Sequence, residues 1–362
     1  MTSEYAFLPD WASSPGETIS DILEERGLSL NNFAELIGHT AEQARDLLRG
    51  RLSITSELAQ RLEGAIGASA TFWMRRETHY RELIERAYEP GDDANSDWLD
   101  ELPVPDMVRL GWIAAQPSRP QMVSTCLKFF ATNNVAAWRQ KYSSLLENTA
   151  YRTSASFDSD SGAVAAWLRQ GEILAASIDC NEWNPAKFRE SLIDIRALTR
   201  EHNPSEFLPK LTRMCADYGV AVVVVRAPTG CRASGATRFL SQEKALLLLS
   251  FRYLSDDHFW FSFFHEAAHL LLHSHESTFV EGGKVCDSQE EQDANDFAAN
   301  VLIPASLLPT LRGLRADARD VIRFARKAGV SRGVVVGQLQ HLGRIERDQL
   351  NHLKTRFRWN DK

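Results

Sequence analysis

The chain has 362 residues, 44% hydrophobic and 25% charged, with 20 Gly, 13 Pro and 9 Trp. That balance excludes collagen-like, disordered and small disulfide-framework chains. A single core stops growing at about 250–300 residues, so two or three structural units are expected. The five cysteines (Cys126, Cys180, Cys215, Cys231, Cys286) are widely spaced, with no C-x-x-C pair. This spacing predicts reduced thiols and argues against a thiolate metal knuckle. Met1–Pro9 contains Glu4 and lacks both the basic start and the apolar core of a signal peptide. The longest apolar runs, near Ala245–Leu249 and Phe259–Phe264, are too short to cross a bilayer. A cytoplasmic protein without membrane contact is expected.

The net charge of −7 conceals an asymmetry. Residues 1–90 hold 9 Arg and no Lys against 15 Asp and Glu, whereas residues 311–362 hold 13 Lys and Arg against 5 acidic residues. Phosphate neutralisation dominates DNA binding, so by charge the C-terminal segment is the better candidate for a nucleic-acid contact. A solvated helical surface is the alternative.

In chain order, short helices come first. Glu17–Arg26 carries Ile19, Ile22 and Leu23 and stops at Gly27. Ser29 caps Asn31–Ile37, and Thr40 caps Ala41–Leu48 after the Gly38-His39 turn. Thr55 or Ser56 caps a helix with Leu58, Leu62, Ala65 and Ile66 that ends at Gly67. Two short helices joined by a glycine turn form a helix-turn-helix arrangement. Residues 88–106, rich in Pro, Gly, Asp and Asn, read as a linker. Helices follow at Met122–Phe130, Val135–Glu147, Gly162–Leu168 and Pro185–Arg200, with Phe129, Phe130 and Trp138 as core.

From Phe207 the pattern changes. A helix over Phe207–Tyr218 precedes Val220–Val225, a continuous β-branched run and so a buried strand. Ala236–Leu240 and Lys244–Phe251 read as a hairpin, with Lys244–Phe251 a candidate sheet edge for an extended substrate. The helix from about His258 to His273 is apolar nearly all round and must be buried. At its centre stands His265-Glu266-Ala267-Ala268-His269. Two histidines four apart lie about 40° apart around a helix and about 6 Å along it, so both can reach one ion. Glu266 is then placed to take a proton from a water.

A catalytic zinc site needs a third protein ligand. His273 sits about 12 Å along the helix from His265, too far for one ion to take all three histidines. Glu276, Glu281 and Asp287 lie in a predicted loop. The helix Gln289–Leu302 offers Glu291, favoured over Glu290, on a face with Ala294, Asn295 and Ala298. Small residues there allow close approach, Asn295 is placed to hydrogen-bond a ligand imidazole, and Asp293 points outward. Tyr253, His258 and His275 are nearby in sequence and read as structural.

Two family resemblances follow. Pro15-Gly16-Glu17, Leu30–Leu48, Arg51–Thr55 and Phe72-Trp73 resemble the N-terminal domain of XRE/HigA-type regulators over about 75 residues. In that family the second helix of the pair enters the major groove; the matching candidates here are Gln43, Arg45 and Arg49, beside Glu42 and Asp46. A dimerisation or partner-docking module is the alternative. Further on, the H-E-x-x-H helix, Glu291 with Ala294-Asn295 and Phe297-Ala298, and Val301–Pro304 resemble the ImmA/IrrE metallopeptidases over residues 160–345. Ser234-Gly235-Ala236 and Val330–Leu339 fit as well, and Ala268 stands where members often have Gly.

This second resemblance implies a small zincin fold, with His265, His269 and Glu291 as metal ligands and Glu266 as general base. The implied cofactor is one Zn²⁺, with Mn²⁺ as the substitute, and the implied substrate is a protein such as a repressor or antitoxin. The expected architecture is multidomain and mostly α, with an N-terminal all-α helix-turn-helix domain and a small α+β zincin-like domain. Its expected parts are residues 1–90, a linker and helical scaffold at 91–200, the peptidase core at 201–310, and a basic helical subdomain at 311–362. DNA would be met through the helix-turn-helix or the basic C-terminal segment, and regulators of this type commonly form homodimers.

Overall fold

The computed structural model describes residues 14–48, 50, 52–87, 93–150, 160–273, 279–282 and 289–359. The chain divides into two compact units, Met1–Gly91 and Asp92–Lys362.

The described elements of the first unit are helices: α1 (Pro15–Arg26), α2 (Leu30–Leu36), α3 (Ala41–Leu48), α4 (Ser56–Ile66) and α5 (Ala70–Ala87). Side-chain caps set the helix starts. The Ser29 and Thr55 hydroxyls accept from the amides of Asn32 and Leu58. Thr40 and Gln43 cap each other's backbone at the start of α3: the Gln43 amide donates to Thr40 Oγ1 at 3.2 Å and Thr40 N donates to Gln43 Oε1 at 3.0 Å. Ile19, Phe33, Ile37, Leu47, Leu58 and Leu62 meet in one core. Helix α5 was not legible in the sequence; it is anchored by Trp73, wholly buried, whose indole N–H donates to the Gly67 carbonyl at 3.0 Å. Gly16 lets α1 touch α3, since a Cβ there would lie 2.0 Å from the Leu48 carbonyl oxygen.

The second unit begins where the sequence suggested a linker, and part of that expectation is corrected. Asp93–Glu101 forms a 3₁₀ helix followed by α6 (Val104–Arg109), while residues 88–92 lie outside the described residues. Trp98 and Leu102 are buried, and the Trp98 ring meets Trp138 at 5.3 Å and Phe130 at 6.1 Å between centroids. Aromatic burial outweighs the turn-forming composition around it. Helices α7 (Arg119–Phe130), α8 (Val135–Ala150), α9 (Ser161–Ala176), α10 (Pro185–Ala197) and α11 (Pro204–Ala216) follow.

Among the described residues, four strands, β1 (Val220–Val224), β2 (Ala233–Ser241), β3 (Lys244–Leu249) and β4 (Phe279–Gly282), make a mixed sheet in the order β1-β3-β2-β4. Strand β1 pairs parallel with β3, and β2 pairs antiparallel with both β3 and β4. The expectation of an edge at Lys244–Phe251 is therefore wrong: β3 is interior, with β1 and β4 at the edges. Ala245–Leu249 is apolar on both faces, as is the edge strand β1, so composition reports the covering layers and pairing with β1 and β2 makes β3 interior. Leu246 and Leu248 join Ala163, Val164 and Trp167 of α9 in one core, while Leu247 and Leu249 join residues of α10 and α11 in another.

The second of these cores also takes in α12 (Asp256–Leu272), α13 (Gln289–Leu302), α14 (Leu308–Arg312), α15 (Ala318–Ala328) and α16 (Arg332–His341). It runs from Phe188 to Phe357 and crosses positions 200 and 310 without a break. Val321, Phe324 and Ala325 bury one face of α15, leaving Arg319, Arg323, Arg326 and Lys327 on its exposed side. No helix among the described residues is long and apolar enough to cross a membrane.

Candidate metal centre

Helix α12 is driven into the core by Phe259, Trp260, Phe263, Phe264 and Ala267. That burial carries His265, Glu266 and His269 out of water, each at 2% exposure or less. Alongside it runs α13, whose Ala294 and Ala298 are completely buried, small enough to bring the two helices close.

This approach delivers Glu291 to the histidine pair. Its Oε2 lies 3.2 Å from His265 Nε2 and its Oε1 lies 3.4 Å from His269 Nε2, while the two Nε2 atoms are 3.0 Å apart. Tetrahedral zinc with bonds of 2.0–2.1 Å to nitrogen needs ligand atoms about 3.3 Å apart. Two imidazole nitrogens and one carboxylate therefore converge at the spacing of one metal ion, and among the described residues they are the group able to hold one. The donor set of two neutral imidazoles and one carboxylate suits zinc and leaves a fourth position for water.

The remaining ring nitrogens are engaged. His265 Nδ1 lies 3.0 Å from Asn295 Oδ1, and His269 Nδ1 lies 2.9 Å from His273 Nδ1. Such contacts fix which nitrogen faces the ion. Replacing Asn295 by Ala is therefore expected to weaken zinc binding about 10–100-fold, measured by competition with a chromogenic chelator. His273, set aside as a ligand, has a role the sequence reading missed: it backs His269. The same i, i+4 spacing that joins His265 to His269 also joins His269 to His273.

The electrostatics favour the ligating forms. Burial holds the His269 imidazolium pKa down to about 4, against the opposing pull of the Glu291 hydrogen bond. Burial pushes Glu291 upward, but hydrogen bonds from His265 and His269 outweigh it and hold the carboxyl well below its usual range. Because His269 is depressed in the fold, its stabilising contribution is complete above its ordinary 6.5 and is lost as pH falls through about 4. Chelated protein is therefore expected to unfold at lower urea concentration as pH falls from 6.5 to 4. In His269→Gln this part of the decline should disappear.

Glu266 faces β2. A Cβ on Gly235 would lie 2.4 Å from Glu266 Oε1, so this carboxylate requires a glycine opposite it. Glu290 is partly exposed and outside the converging group, and Asp293 is exposed. Glu276, His275 and Asp287 lie outside the described residues; Glu281 belongs to β4. The Tyr253 ring lies against His258, tilted by 32° at 4.3 Å between centroids. In the first unit Gln43 is exposed and occupied in capping α3, Arg45 is partly buried, and Arg49 lies outside the described residues.

Residues 219–340, which hold the whole cluster, match the family model of the IrrE N-terminal-like domain, peptidase family M78. This stretch is an IrrE N-terminal-like domain. The N-terminal region is similar to an uncharacterized HTH-type transcriptional regulator, YddM, of Escherichia coli strain K12, being 35% identical over 60 residues. That match covers 17% of this chain, and the chain spans 64% of that relative's length. The chain thus joins a peptidase-family domain to a segment similar to a helix-turn-helix regulator. Within the IrrE-like domain, β1, β2, β3, α12, α13 and α16 supply the sheet and the ligand helices.

Proposed function

We propose that the protein is an intracellular zinc metalloendopeptidase that cleaves a regulatory protein, such as a repressor or antitoxin. The observation that carries the reading is the convergence of His265, His269 and Glu291 at 3.0–3.4 Å on two packed helices. His265, His269 and Glu291 would hold the ion, with Asn295 and His273 orienting the imidazoles. Zinc, or manganese in its place, would supply when bound the Lewis acidity that activates water near neutral pH and polarises a peptide carbonyl. Glu266 serves as the general base, taking the attacking water's proton on a carboxylate oxygen and returning it to the departing amide nitrogen. The apolar surroundings of α12 exclude bulk water from that transfer. With β3 interior, β4, the last strand of the sheet among the described residues, is where an extended substrate would add by main-chain hydrogen bonds. The test is digestion of a degenerate peptide library, read by mass spectrometry. Cleavage that chelation stops and zinc restores supports the reading; an intact library with the zinc-loaded protein refutes it.

A second reading rests on the similarity to an HTH-type transcriptional regulator. Here the first unit binds DNA as a homodimer, with Gln43, Arg45 and Arg49 of the α3 region at the groove, and the metal domain is a sensor or scaffold. Because Gln43 is committed to its cap, Arg45 and Arg49 would carry most of the contact. Electrophoretic mobility shifts with genomic fragments, compared with Arg45→Ala, test this. Binding unaffected by the substitution counts against it.

A further inference from the structure

A second site lies at the start of α16, away from the ligand atoms. A cleft of about 270 Å³ is rimmed by Arg200, Arg326, Arg332 and His202. Its apolar lining comes from Ile322, Ala325 and Val330. Among the described residues, no acidic side chain lines it. Neighbouring surface cations are neutralised, Arg323 by Asp320 at 3.3 Å and Lys210 by Glu201 at 2.7 Å. Among the described residues, none of the three rim arginines has such a carboxylate. Three guanidinium groups around one hollow repel each other unless an anion joins them.

The wall between the arginines is rigid. Ser331, 3% exposed, donates through its hydroxyl to Asp256 Oδ2 at 2.7 Å and accepts from the Val334 amide at 3.0 Å. Its own amide donates to Thr199 Oγ1 at 3.1 Å. Asp256 is turned inward, its other oxygen accepting from the Thr355 amide at 2.9 Å. The Thr355 hydroxyl lies 2.9 Å from His202 Nδ1. The rim residues thus project from a framework tied by hydrogen bonds to the first residue of α12, which makes the cleft a preformed hollow.

We infer that this cleft binds a small phosphomonoester, its phosphate held by Arg200, Arg326 and Arg332 and its organic part against Ile322, Ala325 and Val330. Guanidinium forks match the several oxygens of a dianionic phosphate, where a lone carboxylate would leave most of the donors unused. The apolar lining favours a small organic phosphate over a nucleic-acid backbone, which would follow a stripe of charge along the surface.

Calorimetric titration of the full chain with inorganic phosphate and with AMP tests the inference. Both probes should bind saturably at one shared site. Arg200→Gln combined with Arg326→Gln should weaken binding about tenfold or more, as should Arg332→Gln, and His202→Gln less. Arg312→Gln with Arg315→Gln, which removes the same charge outside the cleft, should leave affinity within about twofold. Three results would overturn the inference: no saturable binding of either probe, equal weakening in the control pair, or a dT20 oligonucleotide that binds while phosphate and AMP fail to displace it. None of these depends on the metal centre, so they stand apart from the outcome for the proposed peptidase.

Discussion

Replacing Glu266 by Gln is expected to lower peptide cleavage about 10²–10⁴-fold while leaving zinc at one ion per chain. The substitution is nearly isosteric, which matters at a residue fully buried against Gly235. It removes the ability to accept a proton and keeps the hydrogen-bonding outline, so the loss falls on general-base chemistry rather than on packing. Initial rates on the best library peptide, together with metal analysis of the same preparation, decide the matter. A variant that retains more than about a tenth of the wild-type rate would show that Glu266 is not the base. The same protein separates the two functional readings. If the metal domain only senses or scaffolds, Glu266→Gln should regulate normally in the cell; if proteolysis is the output, regulation should vanish with the ion still bound.

The second large effect is expected from the ligands themselves. His265→Ala and Glu291→Ala each remove one of three donors and should weaken zinc binding more than about 10³-fold, beyond what loss of an orienting partner costs. Because a ligand that binds only the folded state adds RT ln(1 + [L]/Kd) to stability, wild-type protein at a hundredfold excess of zinc over Kd gains about 2.7 kcal/mol. At a few degrees per kcal/mol, that is about 5–10 °C in Tm, which either variant should lose. Thermal melts with graded zinc would show it. Equal zinc-induced shifts in wild type and Glu291→Ala would remove Glu291 from the ligand set.

Much of the candidate site is legible in the sequence. The i, i+4 histidines needed only the geometry of a helix, and the apolar residues around them required that helix to be buried. Glu291 and Asn295 could be chosen because they share a face with two alanines, a local property of α13. The contact of His273 with His269 follows the same i, i+4 spacing, although His273 lies too far along α12 to share an ion with His265. What could not be read was of a different kind. A Trp among prolines and aspartates looks like a linker until it finds Phe130 and Trp138, and the sequence contains no sign of which aromatic cluster will receive it.

Strand order was hidden for a related reason. The apolar run of β3 says that both faces are covered, yet not that β1 pairs along one side of it and β2 along the other, an order that packing across the whole unit decides. The sequence alone determined the caps at Ser29, Thr40 and Thr55 and the pairing of His265 with His269, because these depend on residues within a turn or two of each other. Tertiary structure alone decided the sheet edge, the shared core running from Phe188 to Phe357, and the arginine cleft beside Ser331. The last two of these join residues more than a hundred positions apart, and the energies of all three come from contacts that exist only after the chain has folded.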